Sequence, residues 1–212
     1  MFAMGTIVNV IAIVLAGIFG KYIGKYFSIR YDKNLYKNVS TRREIYQKLK
    51  DIYDNKVNNV NDNRGLFIHG SYGTGKSYIC GCFAKAFARA GFNTIIAFYP
   101  ELIRIIKSSI GTGLIEEYID LLKNADVLFL DDFGGEVSTQ FIRDEVLFPI
   151  LQYRMEHHML TFMTSNLDKS TLHAHLSETT QSLDETKAYR IEERINALMD
   201  FVELKDVNYR FK

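Results

Sequence analysis

The chain has only two cysteines, Cys80 and Cys82. They lie two positions apart on a stretch that reads as helix, where i and i+2 do not face each other. That spacing suits a disulfide poorly, and reduced, buried thiols of a cytosolic domain are expected. No histidine stands at ligand spacing from them, which argues against a zinc site. His157-His158 and His173-x-His175 lack a convergent acid or cysteine, so surface loops are expected there rather than a metal centre. Internal repeats and low-complexity tracts are absent, which argues against a solenoid. Net charge is nearly absent as well, with 26 Lys+Arg against 25 Asp+Glu. The balance hides an asymmetry. Residues 1–64 carry 11 basic and 5 acidic side chains, and residues 65–212 carry 15 and 20. The basic N-terminal part suits anionic lipid or nucleic acid, with a solvated linker as the plainer alternative.

Charge is missing altogether from Met1 to Gly20, and Ile7 to Phe19 is apolar except for Asn9. About 20 residues is the minimum for a bilayer span. Lys21, Lys25, Arg30 and Lys33 follow at once, so a span would leave the rest of the chain in the cytosol. A cleaved signal peptide is disfavoured, because no basic segment precedes the apolar run. Residues 1–28 are therefore read as an apolar N-terminal segment and membrane anchor, with a helix packed on the domain as the alternative. A cytoplasmic protein tethered to the inner face of the membrane is the expected location.

A hydrophobic content of 47% and an aromatic content of 13% supply a core for one domain plus an appendage. Residues 29–64 read as a basic helical linker. Thr41 to Tyr53 is helical in pattern, with Thr41 as N-cap and Ile45, Leu49 and Ile52 on one face. Strands at 66–69, 94–98, 127–131, 160–164 and 201–204 then alternate with helices at 76–90, from Pro100, at 114–123, 139–156 and 187–199. Gly91 is a C′ residue, and Gly111 and Gly113 break the second helix of this series. Residues 167–186 are polar and poorly periodic. This alternation predicts an α/β fold, with a mostly parallel five-stranded sheet flanked by helices.

The segment Gly70-Ser71-Tyr72-Gly73-Thr74-Gly75-Lys76-Ser77 is a G-x-x-x-x-G-K-[ST] phosphate loop between a strand and a helix. Its glycines let backbone N–H groups point at phosphate oxygens, and the helix N-terminus adds partial positive charge. Lys76 supplies a full charge for the β- and γ-phosphates, and the Ser77 hydroxyl can ligate Mg²⁺. A buried strand, Val127-Leu128-Phe129-Leu130, ends in Asp131-Asp132, where α/β sheets place ligands. Asp131 would support Mg²⁺, directly or through water, and Asp132 would polarise the attacking water. One strand later, Thr164-Ser165-Asn166 offers an amide to the γ-phosphate or the water. Arg194 and Arg210 are the late arginines. Taken alone, each reads as a surface charge.

The phosphate loop, Leu130-Asp131-Asp132-Phe133-Gly134, the run Phe141 to Leu147 continuing to Ile150-Leu151-Gln152-Tyr153-Arg154, and Thr164-Ser165-Asn166 carry a resemblance. Residues 65–212 resemble the AAA+ P-loop NTPase domain of bacterial replicative-helicase loaders, primosomal proteins of the DnaI/DnaC type. The resemblance implies ATP and Mg²⁺ as ligands, Asn166 as sensor 1 and Arg210 as sensor 2. It also implies Arg194 as an arginine finger, with Arg190 as rival, acting across a head-to-tail contact between copies. Such a finger contributes ~10³–10⁵ in rate, so a monomer would be slow. A replicative DNA helicase and single-stranded DNA are the implied partners. Arg104, Lys107, Ser108 and Ser109 are the positions suggested for DNA. The chain departs from these loaders before residue 65, where no cysteine-bearing, zinc-binding domain is encoded. A transposition-helper ATPase shares the same core and is the nearest rival. A small-molecule P-loop kinase would need a lid with several arginines, and residues 167–186 contain none.

Overall fold

The computed structural model describes residues 40–60, 64–179 and 183–209. The apolar segment 1–28, and with it the membrane assignment, lies outside the described residues, as does Arg210. No described helix is long and apolar enough to cross a membrane.

Five strands form one sheet: β1 (Gly65–His69), β2 (Thr94–Phe98), β3 (Val127–Phe133), β4 (Leu160–Ser165) and β5 (Met199–Glu203). All pairings are parallel, and the order is β2-β3-β4-β1-β5. Strand side chains alternate between faces. Leu66, Ile68, Val127, Phe129, Leu160 and Phe162 therefore face one way, with the Phe129 and Phe162 rings stacked at 4.5 Å. Helices α1 (Ser40–Val57) and α2 (Lys76–Arg89) close this face through Ile45, Leu49, Ile79, Phe83 and Phe87. Phe67, Leu128, Leu130 and Met163 face the other way. That face is covered by α3 (Tyr99–Ser108), α4 (Ile115–Asn124), α5 (Phe148–Glu156), α6 (Lys169–Ser177) and α7 (Glu185–Leu198). Apolar burial on both faces explains why the strands read as continuous apolar runs.

Local chemistry accounts for where the elements differ from expectation. Helix α1 begins one residue before Thr41, which is not its N-cap. The Thr41 hydroxyl instead donates to the Lys205 carbonyl at 2.8 Å. The single helix expected at 139–156 contains a widened π-turn over Ile142–Leu147 before α5. Pro149 lacks an N–H and its ring crowds the preceding turn. The Phe148 N–H accordingly bonds the Arg143 carbonyl, five residues back. Helix α6 arises where the sequence is aperiodic. Asp168 caps it by accepting from the Thr171 N–H at 2.9 Å, and Leu172 and Leu176 are its buried anchors.

Arg154 is fully buried on α5 and serves as a joint. Its Nη1 donates to the carbonyls of Leu122, Lys123 and Ala125 at 2.8–3.1 Å, its Nη2 to Leu160, and its Nε to the Thr161 hydroxyl. It thereby satisfies two of the last carbonyls of α4, which a helix leaves without partners, and ties that end to β4. Each buried acceptor left unmade costs about 1–3 kcal/mol. Arg154→Met should therefore lower unfolding free energy by at least about 3 kcal/mol, read as a fall in the urea midpoint.

Candidate functional site

The site lies beyond the C-terminal ends of β1, β3 and β4, the three central strands. Strand β1 ends at His69, and the loop from Gly70 to Gly75 turns the chain into α2. Gly70 and Gly73 adopt φ values of 146° and 74°. Space is restricted as well as conformation. A Cβ on Gly70 would lie 2.4 Å from the Leu204 carbonyl oxygen, and one on Gly73 would lie 2.0 Å from the Asn208 side chain. Ser71 and Tyr72 are exposed on the loop, while Thr74 is buried and its hydroxyl donates to the Ser71 carbonyl at 2.9 Å. Lys76, at the start of α2, is buried. Its ammonium donates to the carbonyls of Gly70 (2.8 Å) and Ser71 (2.9 Å) and to Oδ1 of Asn166 (2.8 Å).

The two acids occupy a bulge. The β3–β4 register shifts between Leu130 and Phe133, and Asp132 has φ of 60°. A non-glycine residue there is uncommon, and such strain clusters at functional sites. Thr164 of β4 braces the bulge. Its hydroxyl accepts from the Asp132 N–H at 2.9 Å and donates to Asp131 Oδ1 at 2.5 Å. The bulge places the two carboxylates with different partners. Asp131 is hydrogen-bonded by Thr164 and Ser77. Asp132 accepts from Nδ2 of Asn166 at 3.1 Å. A continuous line thus runs from Lys76 through Asn166 to Asp132. Burial pushes the Asp131 carboxyl above its ordinary range, against the hydrogen bonds from Thr164 and Ser77 that favour its ionised form.

The donor set fits Mg²⁺. Ser77 and Asp131 offer hard oxygens side by side, and Mg²⁺ is commonly held by one or two protein groups plus phosphate and water. Among the described residues no cluster of three or more His, Cys, Asp or Glu could hold a metal by itself. Two of the histidines weighed as metal ligands are engaged on α6: His173 pairs with Glu192 at 3.0 Å and His175 with Glu136 at 2.7 Å. They lie on a helix, not in the surface loop expected. Cys80 and Cys82 are free thiols, and burial raises the pKa of both.

Arg194 does not join this cluster. On α7 its Nε donates to Oε1 of Gln152 and its Nη1 to the Arg190 carbonyl, both at 2.7 Å. Arg194 and Arg190 stack over the same Phe148 ring, at 5.0 and 4.8 Å. The positions suggested for DNA all have local partners. Arg104 pairs with Glu101, Lys107 donates to the Val137 carbonyl, and the Ser108 and Ser109 hydroxyls donate to Ile105.

Two contributions at the site were missed from sequence. Glu136 accepts from the Gly134 N–H at 2.9 Å and pairs with His175, which holds the loop that follows Asp132. Arg42 of α1 is 4% exposed and donates to the Thr74 carbonyl at 2.6 Å, behind the phosphate loop. A signal existed, since Arg42 precedes Ile45, Leu49 and Ile52 at helical spacing and so lies on the same buried stripe.

A phosphate loop on β1, paired acids on β3 and an amide on β4, in an all-parallel sheet, define an ATP-binding domain of the AAA+ P-loop class. Residues 40–212 match the family described as IstB-like ATP binding protein, and the chain belongs to that family. It is 32% identical over 171 residues to the replicative helicase loader DnaI of Bacillus subtilis (strain 168), across 80% of this chain and 55% of that one. The chain thus spans just over half the length of that relative. Among solved structures it is similar to a crystal structure of DnaI, with a TM-score of 0.69 and 34% identity over 80% of this chain and 87% of that one. It is also similar to a candidate primosome component from Streptococcus pyogenes serotype M3. That TM-score is 0.64, with 30% identity over 82% and 84% of the two chains.

A Mg²⁺ ion held at Asp131 would compete with protons for its oxygens. Because burial raises the carboxyl's pKa, Mg²⁺-dependent nucleotide binding should weaken on acidification at a higher pH than an ordinary aspartate would give. The Mg²⁺-dependent binding would be present above that raised pKa and lost as pH falls through it. The stability term has the opposite sign, since a raised folded-state pKa makes ionised Asp131 less favourable to the fold as pH rises. Titrating a fluorescent ATP analogue with and without Mg²⁺ across pH checks this. Asp131→Asn should reduce the Mg²⁺-dependent part of the affinity about 10–100-fold and flatten its pH dependence.

Proposed function

We propose that the chain is a Mg²⁺-dependent ATPase of DNA replication, a helicase-loader-type primosome protein that acts on a replicative DNA helicase and single-stranded DNA. The observation that carries the chemistry is the line Lys76–Asn166–Asp132 beside the Ser77–Asp131 pair. The similarity to DnaI along most of the chain supports the loader role.

Backbone amides of residues 70–77 and the α2 N-terminus hold the triphosphate. Lys76 places its charge beside the β- and γ-phosphates, and Ser77 and Asp131 hold Mg²⁺. Bound Mg²⁺ would neutralise charge on the phosphate oxygens. Asp132 orients and polarises the water, and Asn166 keeps its carboxylate aimed while contacting Lys76. Arg194 acts on the ATP of a neighbouring copy in a head-to-tail assembly, which accords with its place away from its own phosphate loop. Arg190 shares its ring and is the rival. Arg210 reports the nucleotide state. Arg104 and Lys107 contribute to a DNA-binding surface, and residues 1–20 contact the membrane from the cytoplasmic side.

ATP turnover measured with and without single-stranded DNA tests the catalytic part. Asp132→Ala should lower kcat about 10²–10⁴-fold. Arg194→Ala should remove only the gain that comes with assembly, ~10³–10⁵-fold. An unchanged rate in both variants overturns the assignment. Capture of the replicative helicase from solution by the full chain tests the loader role. Capture of a transposase in its place would move the protein to the transposition-helper reading.

A further inference from the structure

Helix α1 precedes the strand–loop–helix unit of β1, the phosphate loop and α2, yet it reaches the phosphate loop from behind. Arg42 is its contact. The Arg42 guanidinium donates to the Thr74 carbonyl at 2.6 Å, forms an ion pair with Asp206 and lies 4.5 Å over the Tyr209 ring. The Asp206 carboxylate is itself 1% exposed and also accepts from the Tyr209 hydroxyl at 3.0 Å. The chain after β5 runs along the same loop. The Leu204 N–H donates to the His69 carbonyl at 2.7 Å, and the Tyr209 N–H donates to the Gly73 carbonyl at 3.0 Å. Thr41 ties α1 to this segment through Lys205. Three stretches distant in sequence, 41–42, 70–75 and 204–209, therefore meet at one buried arginine.

The grip has a directional consequence. A trans peptide points its C=O and its N–H in opposite directions. Holding the Thr74 oxygen from behind fixes the direction of the Gly75 N–H on the other side of the same peptide. The Arg42 charge is matched by Asp206 in the same buried place, so its effect on the loop is geometric rather than a net field. Arg rather than Lys suits this task, because Nη2 serves both the carbonyl and the carboxylate while the flat guanidinium stacks on an aromatic ring.

We propose that Arg42 is a positioning residue of the nucleotide site, one that sets the phosphate-loop peptide and couples nucleotide binding to the docking of α1. The inference rests on the ATP-binding reading above. Coupling is reciprocal: if α1 stabilises the loop in its binding form, nucleotide must stabilise α1 on the domain. The region before the ATPase core would then be under nucleotide control.

The test uses the full chain, a non-hydrolysable fluorescent ATP analogue and Mg²⁺. Arg42→Ala should weaken binding about tenfold or more, and Arg42→Lys should recover part of the loss. Arg64→Ala, which breaks an exposed pair with Asp200, should leave the affinity unchanged. Thermal unfolding of each variant separates weakened binding from loss of fold. The wild-type chain provides a second readout that needs no variant. Amide hydrogen exchange across residues 40–57 should slow when the analogue binds. A folded Arg42→Ala variant that binds as tightly as wild type overturns the proposal, as does α1 exchange indifferent to nucleotide. A wild-type chain that fails to bind the analogue overturns the ATP-binding reading itself, and this proposal with it.

Discussion

Strand β4 lies between β1 and β3, and the site depends on that placement. The strand before the phosphate loop and the strand before the acids are not hydrogen-bonded neighbours. β4 separates them, and its end supplies both groups that join their chemistry. Thr164 braces the two aspartates, and Asn166, just past the strand, bridges Lys76 to Asp132. An amide suits the bridge because it carries an acceptor for the ammonium and a donor for the carboxylate on one rigid plane. A carboxylate in its place would repel Asp132, and a second cation would repel Lys76.

Strain is localised where the chemistry needs direction. The bulge at Asp131-Asp132 interrupts the β3–β4 ladder and holds Asp132 in a left-handed conformation, which costs about 1–3 kcal/mol. The hydrogen bonds from the Asp132 N–H and to its carboxylate offset part of that cost. The result is two adjacent acids with separate environments, one buried against Ser77 and Thr164 and one turned to Asn166. Rigid supports surround this strained point. Arg154 locks α4 to β4, the Glu136–His175 pair holds the loop after Asp132, and Arg42 backs the phosphate loop.

Much of this was legible in the sequence, for identifiable reasons. Short apolar runs, Leu66-Phe67-Ile68 before the phosphate loop and Val127 to Leu130 before the acids, marked β1 and β3, because burial on both faces leaves little polar alternation to confuse them. The phosphate loop was legible because its spacing is imposed by the phosphates. Helix α6 was not, since two leucines four apart among polar residues are too few to establish a period. The π-turn at Ile142–Leu147 was hidden because the residues before Pro149 have an ordinary helical composition, and the widening is how the backbone accommodates the ring. Arg42 looked like one more charge in a basic stretch, although its spacing to Ile45 and Leu49 put it on the buried stripe.

The sequence alone determined that a triphosphate-binding loop opens an α/β domain, and that two acids and an amide follow at the ends of later strands. Those features are local, since each is written in a few adjacent residues whose types have one main use. Only the tertiary structure decided which of them touch. Strand order cannot be read from strand identity, so it took the folded sheet to place Asn166 between Lys76 and Asp132. It also took the folded chain to bring Arg42 and Asp206, 164 residues apart, into one buried pair behind the loop. Long-range contacts of this kind arise from packing two faces of a sheet at once, and no local pattern encodes them.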